Sequence, residues 1–416
     1  MRLPEPTRTR TRPGFTLVEL LVAAALSILI MAVMATAFQT GLQTLSTLKS
    51  IGDMAERLIT ADTMLRSDLE AEHFATVGGG TAGTRGDDSP SPLRLSDLRY
   101  DMLTSGGGQA FPPPGGYFQI FNGSPSIVEG LDADGLLSSR AGAGENHRLS
   151  MTNRRQGGSQ EQLFSGDLSL LNAADQAMFA PPNPNQNSSD IYPGNRLVTQ
   201  WGQIDWFLDY TRPTTLNGVP TWPLVRRVRV IGTNSVTLTS PQDAFATLSV
   251  STDAPPAPPT NRLNTPQSIT PLSPRFGNSG PNASTVAGSN VGDDIVITNV
   301  VSFEVKAMWA PGPGVPAPRA AVPFPLPSNP SNMVPNGDFP FDDLPVVPTP
   351  TMPENTTPGV AGNRIFDTMS NAPGWNVPGN ANSIPLRIRI IAVQVKIRVY
   401  DPKNKLARQT TLVVKM

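Results

Sequence analysis

Few residues in this 416-residue chain have the types and spacing that chemistry requires. The segment GLDADGLLSS places Asp132 and Asp134 in a D-x-D-G arrangement, and oxygen ligands clustered in this way are typical of calcium loops. No acidic residue follows at the position that completes such a loop, so a solvated turn is the simpler interpretation. The sequence therefore offers Asp132 and Asp134 as weak calcium candidates, and it predicts no other metal or cofactor.

The other groups that could support acid–base chemistry also have simple structural interpretations. Adjacent acidic pairs occur in loop-like sequence at Asp293-Asp294 and Asp342-Asp343. Carboxylates that are adjacent in sequence usually point apart, so we expect solvated loops at both pairs. Of the two histidines, His73 is expected at a helix C-terminus, where positive charge interacts favourably with the helix dipole, and His147 lies in a Gly-rich loop without a nucleophile motif. We expect no enzymatic activity.

Composition narrows the possible functions further. The chain has no cysteine, which excludes disulfides, thiolate-bound metals and a cysteine nucleophile. Its formal net charge is −1, so it lacks the broad positive surface of nucleic-acid-binding proteins, and no nucleic-acid partner is expected. Its 44 prolines leave less sequence for a packed core than the length alone suggests.

One charged residue stands inside an apolar segment. Residues 15–38 carry no charge except Glu19, and as a helix they are long enough to cross about 30 Å of hydrocarbon. Arginines predominate in the preceding residues 1–14, a bias that holds a leader on the cytoplasmic side of a membrane. Because a carboxylate in hydrocarbon costs roughly 3 kcal/mol or more, Glu19 requires an explanation.

The predicted helix continues beyond this segment. Residues 39–77 contain no proline, and their apolar residues recur every three or four positions, as in an amphipathic helix. The pattern therefore predicts a transmembrane helix at 15–38, a periplasmic amphipathic helix at 39–77 and a Gly/Pro-rich loop at 78–116.

The segment GFTLVEL at 14–20 resembles the prepilin-type signal of type IV pilins and type II secretion pseudopilins. In that family a prepilin peptidase, which is also a methyltransferase, cuts after the glycine and methylates the new N-terminal phenylalanine. The resemblance implies cleavage between Gly14 and Phe15, methylation of Phe15 and removal of residues 1–14. The chain departs from many members at Thr36, where they carry a helix-bending proline.

The same resemblance gives Glu19 a function. Members of the family carry a glutamate at this spacing from the cleavage site, and cleavage creates an α-amino group four residues before it. In a helical filament, the amine of one subunit can pair with the carboxylate of its neighbour, so that two charges in the membrane offset each other. We therefore expect Glu19 to act in assembly.

Residues 117–416 have the pattern of a β-rich periplasmic head. Alternation of apolar and polar residues predicts strands at 196–210, 223–232 and 294–309, and more weakly at 116–121 and 243–250. Pro-rich tracts near 253–290 and 311–385 are expected as insertions. We expect an antiparallel sheet with one face against the helix and the other face in water.

The C-terminal segment predicts a β-hairpin. Asp401-Pro402-Lys403-Asn404 has aspartate and proline in the first two positions of a turn. In the strand before this turn, the apolar positions switch from even to odd between Ile390 and Ile391, which predicts a bulge there.

The predicted fold class is α+β, pilin-like, with a long N-terminal helix packed on an antiparallel sheet that carries long Pro/Gly-rich loops. LVRR at 224–227 and the later strand NVVSFEVKAMW at 299–309 resemble J-type minor pseudopilins and the related W-type minor pilins. That resemblance implies a structural subunit in the initiation or tip complex of a type II secretion pseudopilus, which supports protein secretion across the outer membrane.

Location and partners follow from the resemblance as well. It implies a single pass through the bacterial inner membrane, with the leader in the cytoplasm and the head in the periplasm, and extraction into the pseudopilus on assembly. The implied partners are the prepilin peptidase/methyltransferase, other major and minor pseudopilins and the inner-membrane assembly platform. Two alternatives stay open: a W-type minor pilin of a type IV pilus, and a membrane-tethered enzyme or carbohydrate-binding protein that uses a prepilin-type signal.

Overall fold

The computed structural model describes the following residues: 16–75, 94–95, 115–122, 127–131, 137–140, 147–157, 159–179, 191–192, 195–252, 261–269, 293–311, 364–368 and 388–416. The chain divides into two compact units, Met1–Ala55 and Glu56–Met416. The second unit is called the head below.

A single helix, α1 (Leu17–Leu69), covers the apolar segment and the amphipathic segment that follows it. The periodicity predicts helix as far as residue 77, but α1 ends at Leu69. The backbone after it forms isolated antiparallel bridges instead, between Glu72 and Arg154 and between Ala75 and Gly115. These long-range pairings end the helix earlier than the local sequence indicates.

The head contains a large antiparallel sheet. Its strands are β1 (Phe118–Asn122), β4 (Arg148–Arg154), β8 (Trp201–Leu208), β9 (Thr214–Leu216), β10 (Val219–Val230), β14 (Asp293–Pro311), β15 (Arg364–Asp367), β16 (Ile388–Asp401) and β17 (Leu406–Lys415). The order across the sheet is β15-β1-β4-β8-β10-β14-β16-β17, and β9 pairs with β10. An antiparallel sheet with a long helix is therefore present, as predicted.

Smaller elements surround this sheet. They are β2 (Ile127–Leu131), β3 (Leu137–Arg140), β5 (Phe164–Asp167), β6 (Ile191–Tyr192), β7 (Arg196–Thr199), β11 (Thr237–Leu238), β12 (Val250–Thr252), β13 (Asn261–Leu263), the helix α2 (Ala173–Phe179) and 3₁₀ turns at Gln160–Gln162 and Gln242–Phe245. They form three small sheets, ordered β11-β13-β12, β2-β3 and β5-β7-β6.

Most strand predictions are confirmed, and two are wrong in detail. The weak strand expected at 243–250 is largely a 3₁₀ turn, with β12 beginning only at Val250. The expected insertions at 253–290 and 311–385 also supply strands, β13 and β15, and β15 pairs with β1 in the large sheet. Neither strand was predicted from the sequence. Each is only three or four residues long and lies in a Pro-rich tract, so its alternation of apolar and polar residues is too short to recognise.

The C-terminal hairpin and its bulge are confirmed. Asp401 pairs with Leu406, and the Asp401 carboxylate accepts hydrogen bonds from Lys403 N at 2.9 Å and from Asn404 Nδ2 at 2.6 Å. On the other side of β16, Met308 pairs with Ala392 whereas Trp309 pairs with Ile390. The residue between them, Ile391, is the extra residue of the bulge.

One face of the sheet forms the core with the last turns of α1. The buried helix residues are Leu58, Ala61, Leu65, Asp68 and Leu69. On the sheet, the register places Trp206 between Leu149 and Arg226, so these three side chains share a face. Spacings of three and four residues bring one side of α1 onto this face.

The opposite face is also buried, so the expectation of a wet face is wrong. Its buried polar side chains include Gln119, Ser150, Gln203, Asp205, Arg227, Arg229, Glu304, Lys306 and Lys396. Ser249 Oγ donates to Gln203 Oε1 at 2.7 Å, and Asn264 Nδ2 donates to Ser249 Oγ at 3.0 Å. Chain adjoining β12 and β13 therefore covers part of this face and shields its polar groups from water.

Candidate functional site

The first turn of α1 contains Glu19, and its carboxylate closes a capping box. Glu19 Oε2 accepts hydrogen bonds from Thr16 N at 2.9 Å and from Thr16 Oγ1 at 3.1 Å, while Thr16 Oγ1 accepts one from Glu19 N at 3.3 Å. This reciprocal pairing satisfies amides that a helix start leaves without partners. This capping box was not predicted, although its T-x-x-E spacing is visible in the sequence. The predicted processing residues, Gly14 and Phe15, lie outside the described residues.

The apolar part of α1 exposes its large side chains. Those that are more than half exposed are Leu17, Val18, Leu20, Leu21, Val22, Leu26, Ile28, Leu29, Ile30, Met31, Val33, Met34, Phe38, Leu42, Leu45 and Leu48. By length and composition, α1 can cross a membrane. An apolar surface all round a helix is suited to lipid or to a bundle of other helices.

Hydroxyl groups in this part of α1 are satisfied by the helix itself. Ser27 Oγ donates to Ala23 O at 2.8 Å, and Thr36 Oγ1 donates to Val33 O at 2.9 Å. A hydroxyl that bonds within its own helix does not need water, which makes these residues compatible with an apolar environment.

Within the head, a buried ion pair joins the last turns of α1 to β10 of the large sheet. Arg226 Nε donates to Asp68 Oδ2 at 2.7 Å and Arg226 Nη2 donates to Asp68 Oδ1 at 2.8 Å, while Trp206 Nε1 donates to Asp68 Oδ2 at 2.8 Å. The Asp68 and Arg226 side chains are only 5% and 8% exposed. Burial alone would lower the pKa of Arg226, but its hydrogen bonds and attraction to Asp68 raise it. We call this cluster of Asp68, Trp206 and Arg226 the joint.

His73 lies at the C-terminal end of α1, as expected, but it is buried beside the joint, and burial disfavours the positive charge that was expected there. Nδ1 lies 2.9 Å from Thr152 O and 3.0 Å from Asn153 Oδ1, and Nε2 lies 3.1 Å from Leu69 O. Burial lowers the pKa of His73, and these oxygens do not reverse the shift. The lowered pKa makes the ring neutral at pH 7, and a neutral ring donates from one nitrogen only. Donation from Nδ1 connects the chain after α1 to β4.

The polar face of the sheet carries a network centred on Asp205. Its carboxylate accepts hydrogen bonds from Ser150 Oγ and from Arg148 Nη2, the latter at 3.1 Å, and Ser150 Oγ also lies 2.8 Å from Tyr117 OH. A serine beside an aspartate resembles part of a catalytic triad, but these contacts include no histidine base. The network satisfies buried polar groups of the sheet.

The acidic pair at 293–294 differs from its expected form. Asp293 lies in β14, not in a loop, and its carboxylate pairs with Arg227, with Nη2 to Oδ2 at 2.9 Å. The two carboxylates point to opposite faces of the strand, and the Asp293 side chain is 1% exposed whereas the Asp294 side chain is 67% exposed. Nearby, the pKa of Arg229 is lowered to about 10, mainly by burial and to a smaller extent by the positive charge of Arg227.

The remaining predicted candidates divide into two groups. Asp132, Asp134 and the pair at 342–343 lie outside the described residues. His147 is described, and its Nδ1 accepts a hydrogen bond from Val305 N at 3.2 Å, which is a structural contact. Within the described ranges, no three His, Asp or Glu side chains are grouped as metal ligands.

Comparison with known proteins adds no relatives: no family model, curated protein or solved structure matches the chain.

Proposed function

We propose that this chain is a minor pseudopilin, a structural subunit of the initiation or tip complex of a type II secretion pseudopilus. One observation carries the proposal: GFTLVEL at 14–20 leads directly into one unbroken helix, Leu17–Leu69, whose last turns form part of the core of a β-sheet head. A simple membrane anchor does not require this combination of signal, helix and head.

The exposed side chains of α1 are consistent with a helix that moves from the lipid bilayer into a bundle of other helices. Its large apolar side chains are exposed from Leu17 to Leu48, and its hydroxyls at Ser27 and Thr36 are satisfied internally. Such a helix is stable first in a lipid bilayer and then among the helices of neighbouring subunits. The head then remains outside the membrane as the part that meets other proteins.

Glu19 supports two functions in this proposal. Its carboxylate closes the capping box with Thr16, and in the filament it also pairs with the α-amino group that cleavage creates on a neighbouring subunit. The capping box holds the carboxylate at the helix start, where that amine is formed. The proposed location is the bacterial inner membrane, with the head in the periplasm, and the proposed partners are the processing peptidase, other pseudopilins and the assembly platform.

Removal of the chain from its native cell tests the function. We expect less protein to be released into the medium, while surface pili and their retraction are unchanged. Loss of surface pili with normal protein release would favour the W-type minor pilin instead. A purified chain with robust hydrolase turnover, abolished by a single Asp or His substitution, would contradict a purely structural subunit.

A further inference from the structure

The uncharged part of α1 is longer than a bilayer requires. Residues 20–48 lie between two charged residues, Glu19 and Lys49, and include no charge themselves. All of them belong to one helix, so at about 1.5 Å per residue the segment is about 43 Å long. The hydrocarbon of a bilayer is about 30 Å thick, and a tilt of about 20°, the average for membrane helices, adds little to this path. The segment therefore exceeds the bilayer by about two helical turns.

The outer end of this segment carries hydroxyl groups that the helix itself satisfies. Thr40 Oγ1 donates to Thr36 O at 2.9 Å, and Thr44 Oγ1 donates to Thr40 O at 2.9 Å. Thr47 Oγ1 donates to Gln43 O at 3.0 Å. A hydroxyl that is bonded to its own helix keeps that hydrogen bond when hydrocarbon replaces water. These threonines can therefore lie on either side of the membrane surface at little cost.

Leucines are interspersed with the polar residues of the same stretch. Leu42, Leu45 and Leu48 are each more than half exposed, so lipid can reach them. Gln39 and Gln43 lie four residues apart and share one side of the helix. Burial of a leucine is favourable, and burial of an uncharged amide costs less than burial of a charge. The stretch is therefore suited both to hydrocarbon and to the water at its surface.

Charges limit the movement of α1 in both directions. If the helix moves outward, towards the side that carries the head, Glu19 enters the hydrocarbon, and if it moves inward, Lys49 does. Both movements are unfavourable, because a charged side chain inside the bilayer is costly. Between these limits, any run of about 20 residues within 20–48 can fill the hydrocarbon. The two extreme runs are 20–39 and 29–48, which differ by about 14 Å along the helix axis.

We propose that α1 slides along the membrane normal between these two extreme positions, with Glu19 and Lys49 as its stops. From the inner position, the helix can be withdrawn by about 14 Å before a charge has to enter the hydrocarbon. The first part of its transfer into a filament therefore meets little electrostatic cost, and the Glu19 carboxylate enters hydrocarbon only in the later part. This inference rests on the proposed function, because transfer into a filament is what uses the movement.

Thiol labelling of the full chain, in spheroplasts of its native cell, tests the inference. The chain has no cysteine, so Thr44→Cys supplies a single reporter near the middle of the variable stretch. A membrane-impermeant maleimide, added from the outer side, measures how often position 44 lies in water. Thr40→Asp adds a charge that allows only the outermost position of the helix, and Ser27→Asp adds one that allows only the innermost positions. Thr40→Asn and Ser27→Asn are the uncharged controls.

We expect the two charges to have opposite effects on the same reporter. Thr40→Asp should raise the labelling rate of Thr44→Cys by about twofold, because position 44 lies outside the hydrocarbon in about half of the positions open to the native helix. Ser27→Asp should lower the rate by roughly tenfold or more, because position 44 then stays within the hydrocarbon. Both Asn controls should label at the native rate.

Unchanged labelling in both Asp variants would show a helix with a fixed position and would overturn the inference. Changes in the same direction would overturn it too, since they would indicate a general disturbance of the membrane segment. If Ser27→Asp fails to enter the membrane, Thr40→Asp decides alone, and an unchanged rate there overturns the inference.

Mass spectrometry of the N-terminus in the same samples separates this inference from the proposed function. A correctly processed chain whose helix has a fixed position rejects the sliding movement alone. An unprocessed chain rejects the proposed function, whatever the labelling shows.

Discussion

Asp68 occupies a position on α1 that an apolar residue would normally fill, between Leu65 and Leu69, which are 0% and 2% exposed. Burial of a carboxylate and a guanidinium is unfavourable unless their geometry is good, and here three donors satisfy the Asp68 oxygens. Apolar contacts alone would tolerate small shifts of the helix along the sheet. Only one register gives Asp68 all three donors, so the joint selects that register.

The first prediction concerns Asp68→Asn. This change keeps the size of the side chain but removes the close charged partner of the buried Arg226 and leaves it only Asp294, at 4.0 Å, so we expect a loss of about 3 kcal/mol in the free energy of unfolding. Urea unfolding of the full chain in detergent measures it. Asp53→Asn, the same change at an exposed position of α1, should alter stability by less than about 0.5 kcal/mol.

A double variant measures the interaction energy between Asp68 and Arg226 separately from their contacts with other residues. If Asp68 and Arg226 act on each other, Asp68→Asn combined with Arg226→Met should lose clearly less stability than the two single changes added together. Additive losses would show that the two residues act independently, and the joint would then not be the device that fixes the helix.

The second prediction concerns pH and His73. Because burial lowers the folded-state pKa, the folded state binds the proton less well than the unfolded chain does. His73 therefore contributes stability that is fully present above the unfolded pKa, about 6.5, and is lost as the pH falls through the folded pKa. Unfolding free energies of the full chain measured from pH 7.5 downward should show this loss.

Two variants identify the residue that titrates. His73→Gln should flatten the pH dependence just below about 6.5, although it also lowers stability at neutral pH. His147→Gln, which changes the other histidine of the chain, should leave that slope in place. A slope that persists in His73→Gln and disappears in His147→Gln would contradict the assignment.

The third prediction concerns Gly116, whose backbone has a φ of +95°. A Cβ there would lie 2.1 Å from His73 O and 2.7 Å from Thr152 Oγ1, so the backbone at Gly116 or at His73 would have to move. We expect Gly116→Ala to destabilise the head by about 3 kcal/mol or more. Gly218→Ala is the control: its φ is +81° but nothing lies within 4 Å, so only about 1 kcal/mol of backbone strain is expected. Equal losses would contradict the packing explanation.

At the scale of elements, the sequence predicts what local pattern determines. Helical periodicity predicts α1, and the change of parity at 390–391 predicts the bulge in β16, because both depend on neighbours in the chain. The end of α1 at Leu69 is not visible in the same way. It depends on backbone pairing of Glu72 with Arg154, which is 82 residues away (154 − 72).

The fourth prediction concerns the start of α1 and separates helix capping by Glu19 from its proposed function in assembly. A capping box accepts glutamine as well as glutamate, so Glu19→Gln should leave the first turn of the helix ordered, whereas Glu19→Ala should loosen it. Amide hydrogen exchange over residues 17–20 measures this difference. If the charge pairs with a new amine, both variants should insert and be processed normally, and both should fail to assemble. Normal assembly of Glu19→Gln would show that capping alone explains the residue.

At the scale of the whole molecule, the buried polar face of the large sheet was beyond sequence reasoning. Charged residues that alternate with apolar ones, as Arg227 and Arg229 do in β10, are typical of a strand with one face in water. Their burial depends on partners that are distant in sequence. Arg227 and Asp293 are 66 residues apart, and chain near β12 and β13 closes over Gln203.

For the candidate site too, residues in a local motif could be predicted from the sequence, whereas residues that meet only in the fold could not. Gly14, Phe15 and Glu19 were predicted from one short motif that resembles prepilin-type signals, and these predictions stay untested. The joint was not identified, because Asp68 and Arg226 are 158 residues apart and each has an ordinary surface pattern in its own segment.

Intact mass spectrometry of the chain extracted from its native membrane tests the central claim most directly. A prepilin-type subunit is cut between Gly14 and Phe15 and methylated on the new N-terminus. We therefore expect one mature species that begins at Phe15 and carries one added methyl group. A chain that begins at Met1, or one cut after residue 38 as in an ordinary secreted protein, would contradict it.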